Sequence, residues 1–173
     1  MYRRTFLEIA GLVLLAPGSI EKARAAGALE MTDKKIAKLE KSKPEWRAIV
    51  DPEAYSVLFE ERTERAFTSP LLKEKRKGTY ICAACFLPLF ESDAKFESGT
   101  GWPSFFQGIS GHVGTKKDFK LVLPRTEYHC IRCGGHQGHV FDDGPRPTGQ
   151  RFCNNGVALR FVPGTEELPP LRN

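Results

Sequence analysis

The five cysteines of this chain divide as four plus one. Cys82 and Cys85 form one C-x-x-C pair, and Cys130 and Cys133 form another. Two such pairs can supply the four thiolates of a closed tetrahedral zinc site. Forty-four residues separate Cys85 from Cys130, so a sheet must bring the two knuckles together. Disulfides between the pairs are the second reading of this pattern. A thioredoxin-type redox pair in one C-x-x-C is the third, and it needs a βαβ setting that this region lacks. A four-thiolate site leaves no coordination position for substrate or water, so the metal's expected role is structural.

Cys153 stands apart, in Arg151-Phe152-Cys153-Asn154-Asn155. A free thiol titrates near ~8.5, so a nucleophilic Cys153 needs help from its surroundings. On a strand, Arg151 falls on the same face as Cys153, where its cation favours the thiolate. Asn155 falls on that face too, and its amide is a candidate holder of a substrate oxygen. His136 and His139, in the preceding loop, are candidate proton donors. Taken singly, a cysteine on a strand is more often core, and a histidine more often a satisfied structural residue. Their concentration within about twenty residues points to a redox or hydrolytic site.

The elements around these residues read as mainly β. Sixteen Gly and twelve Pro indicate many turns, and twelve Phe against two Met indicate an aromatic core. Pro44 to Arg47 opens a helical turn. Asp51-Pro52 is a helix start, with Asp51 as N-cap, and that helix fades near Glu60. The β region begins at Gly78. Phe119, Leu121 and Leu123 alternate with Lys120 and Val122 and read as a half-buried strand. The expected fold is a small antiparallel β-sandwich or barrel with short N-terminal helices and a four-cysteine zinc knuckle.

Residues 1–25 have the grammar of an export signal: a basic start, an apolar run at 9–16, and Ala23-Arg24-Ala25 as a cleavage site. The Arg3-Arg4-x-Phe6-Leu7 arrangement is that of a twin-arginine signal, which exports folded proteins to the bacterial periplasm. An ordinary secretory signal is the other reading. The apolar run is too short to span a bilayer, so no stable membrane insertion is expected after cleavage. Residues 26–43 read as a flexible arm, 44–165 as the domain and 166–173 as a tail. Losing residues 1–25 removes four basic residues (Arg3, Arg4, Lys22, Arg24) and two acidic ones (Glu8, Glu21), taking the formal charge from +5 to +3. That balance argues against a nucleic-acid partner.

Longer blocks carry a resemblance. Ser98-Gly99-Thr100-Gly101-Trp102-Pro103-Ser104-Phe105, Gly138-His139-Val140-Phe141-Asp142-Asp143-Gly144-Pro145 and Gly149-Gln150-Arg151-Phe152-Cys153-Asn154-Asn155 resemble the signature blocks of the B-type methionine sulfoxide reductases. Thr63-Glu64-Arg65-Ala66-Phe67 and Arg125-Thr126-Glu127 do so as well. The resemblance implies a β-sandwich that reduces the R epimer of methionine sulfoxide in peptides and proteins. It implies Cys153 as nucleophile, passing through a sulfenic acid, and His139 as the acid, with His136 alongside. Asn155 would position the substrate, Trp102 would pack on its ε-methyl group, and Asp143 and Arg151 would organise the site electrostatically. The two C-x-x-C pairs fall where zinc-binding members carry them, and a monomer is expected.

The chain departs from the family pattern in places. Many members carry a second cysteine where this chain has Thr100, and it resolves the sulfenic acid as a disulfide. With the other four cysteines on zinc, an external thiol such as a thioredoxin-like domain is expected to act here. Phe152 replaces a common Tyr. Gln137 replaces a usual Leu and is expected at the pocket rim. Residues 111–123 fit the pattern poorly. The alternative from another class is a zinc-knuckle binding module without catalysis, which leaves Trp102, the histidine loop and Cys153 unexplained.

Overall fold

The computed structural model describes residues 36–120 and 123–173. The export-signal reading and the first part of the arm lie outside the described residues. Among the described residues no helix is long and apolar enough to cross a membrane.

Two short helices open the domain. Helix α1, Lys43–Ile49, begins with a capping box in which the Ser42 side chain accepts the Glu45 N–H and the Glu45 carboxylate accepts the Ser42 N–H. Helix α2, Pro52–Glu60, begins as the sequence predicts, with the Asp51 carboxylate accepting the Glu53 and Ala54 N–H groups. Their apolar faces bury Trp46, Tyr55 and Leu58.

Among the described residues nine strands follow: β1 Gly78–Cys82, β2 Pro88–Glu91, β3 Lys95–Phe96, β4 Ser104–Phe105, β5 Val113–Asp118, β6 Arg125–Cys130, β7 His136–Phe141, β8 Arg151–Asn154 and β9 Leu159–Pro163. All the pairings are antiparallel. They build a three-stranded sheet in the order β2-β1-β9 and a six-stranded sheet in the order β3-β4-β8-β7-β6-β5. The expected aromatic core lies between them. Phe90 of the smaller sheet stacks on Phe105 of the larger one at 4.2 Å, and meets Tyr128 and Phe152 edge-on. Tyr80 meets Phe105 edge-on as well, at 4.9 Å. Such aromatic pairs add to the burial of their own area.

One predicted strand is misplaced. The strand that precedes β6 and pairs with it is Val113–Asp118; Phe119, Lys120 and Leu123 of the predicted strand lie outside any strand, and residues 121 and 122 lie outside the described residues. Phe119 and Leu123 are exposed, at 73% and 77%. Alternation marks a strand only where a partner lies alongside, and β6 pairs with 113–118.

Candidate active site and metal centre

The register of the larger sheet assembles the site. Cys153 of β8 lies opposite His139 of β7 on one side and Ser104 of β4 on the other. His139 in turn lies opposite Glu127 of β6, which lies opposite Lys116 of β5. Residues directly opposite one another project from the same face of a sheet. Ser104, Cys153, His139, Glu127 and Lys116 therefore form one row, while Phe105, Phe152 and Val140 alternate with it on the core face. A Cβ on Gly138 would lie 1.9 Å from the Cys153 carbonyl oxygen, so glycine is what lets β7 approach β8 beside the row.

Regular alternation would put His136 on the face opposite His139. The β6–β7 ladder shifts register between Tyr128 and His129, pairing Tyr128 with Gly138 but His129 with His136. This irregularity re-aims one side chain. The His136 and His139 rings end 5.4 Å apart, edge to face.

Each charged group of the row has a partner. His139 Nε2 is 2.7 Å from Asp118 Oδ2. Asp118 also accepts the Lys120 N–H at 2.9 Å and an Arg125 N–H at 2.7 Å. The Lys120 amide, His139 and Arg125 together hold its carboxyl well below the usual carboxylate range. His136 Nδ1 lies 3.2 Å from Glu127 Oε1 without the alignment of a hydrogen bond. Burial pulls the His136 imidazole below its ordinary range, against the attraction of Glu127. Glu127 also faces Lys116, at 3.2 Å. Arg151 donates twice to the Asp143 carboxylate, at 2.7 and 2.9 Å, and lies over the Phe141 ring.

Cys153 is half-buried. Burial pushes its thiol up, and the Arg151 charge and the Thr100 hydroxyl pull it back without cancelling that effect. Thr100 stands close by, tied to strand β4 opposite Cys153. Its hydroxyl is held by Ser98 Oγ at 2.9 Å, and Ser98 in turn by Ser104 Oγ at 2.7 Å.

Asn155 is placed beside the row, but its amide is occupied by the protein. It donates to the Gln137 carbonyl at 3.0 Å and accepts the Glu64 N–H at 3.1 Å. Glu64 is a junction that the sequence reading missed. Its carboxylate accepts the Gly156 and Val157 N–H groups, and its carbonyl accepts the Trp102 indole N–H at 3.2 Å. Asp118 and Glu127 were missed as well. Glu127 sits in a quoted block and alternates with Arg125 along β6, which was a usable signal. Asp118 had none, since its value depends on the β5 register. Gln137 corrects another expectation. It is not at a pocket rim but fully buried, and its amide donates to Cys82 Sγ at 3.5 Å.

The four knuckle cysteines converge. Their sulfurs all lie within 4.8 Å of one another, with Cys82–Cys133 at 3.7 Å and Cys85–Cys130 at 3.5 Å. A disulfide brings its sulfurs to ~2.05 Å, so these are unbonded thiols. A tetrahedron with metal–sulfur bonds of ~2.3 Å has edges of about 3.8 Å. The set therefore fits one metal ion in a closed site. The knuckles have matching turns: the Phe86 N–H donates to the Cys82 carbonyl, and the Gly134 N–H to the Cys130 carbonyl.

Residues 50–163 match the SelR domain family. The chain is 52% identical over 122 residues to the peptide methionine sulfoxide reductase MsrB of Leptospira interrogans, covering 70% of this chain and 93% of the relative. It is 53% identical over 126 residues to the protein of the same name from Methanosarcina mazei, covering 72% and 90%. Against that of Pseudomonas putida it is 51% identical over 130 residues, covering 74% and 97%. Matches of this extent take in both knuckles and the row of Cys153 together, and on that ground the chain belongs to the SelR family, the B-type methionine sulfoxide reductases, oxidoreductases that act on methionine sulfoxide.

Proposed function

We propose that this protein reduces the R epimer of methionine sulfoxide in peptides and proteins, with Cys153 as nucleophile. The observation that carries this reading is the position of Cys153 opposite His139 in one ladder, where the Arg151 charge favours its thiolate. The Cys153 sulfur attacks the sulfoxide sulfur while His139 delivers a proton to the sulfoxide oxygen. The S–S bond so formed and the S–O bond then break as the protonated oxygen passes to the Cys153 sulfur; the substrate sulfur gains two electrons and the Cys153 sulfur loses two. The products are methionine and a sulfenic acid on Cys153. His136 supports the acid from the neighbouring position. Asp143 fixes Arg151, which favours the thiolate. Trp102 offers an apolar face to the ε-methyl group. Asn155 acts as a positioning residue, holding the Glu64 segment, and through it Trp102, against β7.

The metal is zinc, held by Cys82, Cys85, Cys130 and Cys133, and it supplies structure and not chemistry. The sulfenic acid is reduced by an external thiol, such as a thioredoxin-like domain, because Thr100 offers no second sulfur. The composition of residues 1–25 supports export to the periplasm by the twin-arginine route. Retention in the cytoplasm of an Arg3→Lys, Arg4→Lys double variant would support that route.

The test is turnover of separated R and S epimers of a methionine sulfoxide peptide, with dithiothreitol as reductant. Turnover of R alone, abolished in Cys153→Ser, is expected. Turnover of S, or activity that survives Cys153→Ser, would overturn the reading.

A further inference from the structure

We infer that the cleft beside Trp102 seats the side chain flanking the oxidised methionine of a polypeptide substrate, and selects a large apolar residue accompanied by a carboxylate. The inference rests on the proposed reduction of methionine sulfoxide at Cys153.

The cleft has a volume of about 460 Å³, and its apolar wall comes from Phe67, Leu72, Phe96 and Trp102. That volume lies in the range of sites that bury small ligands. It adjoins the reacting sulfur. Trp102 and Pro103 line the cleft, the Pro103 carbonyl accepts the Asn154 N–H at 2.9 Å, and Ser104 lies opposite Cys153. Successive α-carbons are ~3.8 Å apart. A substrate whose sulfoxide sits at Cys153 therefore reaches the cleft with the residue next to it, or next but one.

Phe67 shows that this wall is built. Its ring is 72% exposed. Its backbone has φ 67°, a left-handed conformation that is unusual for a bulky residue. A strained, exposed aromatic is costly on a surface with no task. Its position is held all the same. The Phe67 N–H donates to the Gly101 carbonyl at 2.8 Å, and the ring lies so close over Gly101 that a Cβ there would be 2.9 Å from it. The ring is thus presented ready for contact, which limits the entropy lost on binding.

The charged lining sets the second preference. Lys73, Lys75 and Lys95 line the cleft against one carboxylate, Glu97. Lys95 and Lys75 both approach Glu97, at 3.7 and 3.9 Å. Lys73 has no acidic partner among the described residues. The excess is cationic, so a carboxylate near the apolar side chain is favoured.

The test uses full-length protein and four R-sulfoxide substrates. These are peptides with Phe-Glu, Phe-Lys or Gly-Ser beside the sulfoxide, and the blocked amino acid alone. We expect kcat/KM to fall in the order Phe-Glu, Phe-Lys, Gly-Ser. Phe67→Asn keeps a residue that tolerates positive φ. It should lower kcat/KM on both Phe peptides about tenfold, the scale of losing part of one large apolar contact, and leave the blocked amino acid within about twofold. Lys73→Glu should reverse the order of Phe-Glu and Phe-Lys. Equal kcat/KM on all peptides, or a Phe67→Asn loss that includes the blocked amino acid, would overturn the inference and leave the reductase reading standing. Calorimetric binding of the Phe-Glu peptide to Cys153→Ser tests the cleft without turnover. Binding weakened by Phe67→Asn supports the inference, and binding that ignores it overturns the inference, whichever way the activity assay falls.

Discussion

The Asp118 carboxylate meets the His139 imidazole at 2.7 Å, Oδ2 to Nε2, on the sheet face that carries Cys153. A carboxylate so placed fixes the orientation of the ring that is to donate to a sulfoxide oxygen. Asp118→Asn should therefore lower kcat by about 10- to 100-fold at pH 8, part of the ~10²–10⁴ that acid catalysis supplies. Steady-state rates of both proteins on a sulfoxide peptide check this, with the Tm of each as the control for folding. An unchanged kcat would overturn the role of Asp118 in orienting His139, and a loss accompanied by a large fall in Tm would mark Asp118 as merely structural.

The thiol of Cys153 is pushed up by burial and pulled back by Arg151. With a raised value the group is protonated at neutral pH, and its thiolate forms only as pH rises through and above the ordinary cysteine range. Iodoacetamide should therefore alkylate Cys153 slowly at pH 7 and progressively faster toward pH 9.5. Arg151→Met removes the opposing charge. It should slow alkylation at a fixed neutral pH, because less of the thiol is ionised. Mass spectrometry of the Cys153 peptide over time gives both rates. A faster reaction in Arg151→Met would contradict the electrostatic role.

Thr100 is tied through Ser98 to Ser104, which lies opposite Cys153, and the other four cysteines form their own cluster. After one turnover without reductant, the protein should hold a sulfenic acid that dimedone traps. Thr100→Cys should instead yield a disulfide between the introduced thiol and Cys153, releasing one water as the sulfenic acid condenses with that thiol. Peptide mapping under non-reducing conditions separates the two. A bridge from Cys153 to Cys82, Cys85, Cys130 or Cys133 in the unaltered protein would show that the metal site supplies the resolving sulfur.

Removal of the metal should unfold the domain. Structural zinc contributes about 10–16 kcal/mol in small zinc peptides, as much as the whole ~5–15 kcal/mol stability of a typical domain. Cys130→Ser should abolish stoichiometric zinc and the cooperative thermal transition together. Cys153→Ser should keep one zinc per chain and the same Tm within a few degrees. Metal analysis and calorimetry of both variants check this. Full zinc content in Cys130→Ser would overturn the four-sulfur assignment.

Much of this molecule is legible in the chain alone. The C-x-x-C spacings define two knuckles, because each is a local turn whose geometry depends on four residues. The Asp51-Pro52 helix start is local in the same way and forms as the sequence predicts. The Trp102, His139 and Cys153 blocks carry the family, because sequence comparison needs no coordinates. What the chain alone did not determine is which residues face one another across strands. Alternation gives a period of two but no register. It therefore suggested a strand from Phe119 to Leu123, two residues that are exposed, and gave no reason to join Asp118 to His139. It would have put His136 and His139 on opposite faces, and only the register shift beside Tyr128 puts them on one. Gln137 looked like rim and is core, turned toward Cys82 by the same shift. Asn155 looked free for substrate, yet its amide is taken by Gln137 and by Glu64, which lies ninety-one residues earlier in the chain. Local turns and caps are set by neighbours in sequence. Cross-strand partners are set by how two sheets close over one aromatic core, and that closure exists only in the folded chain.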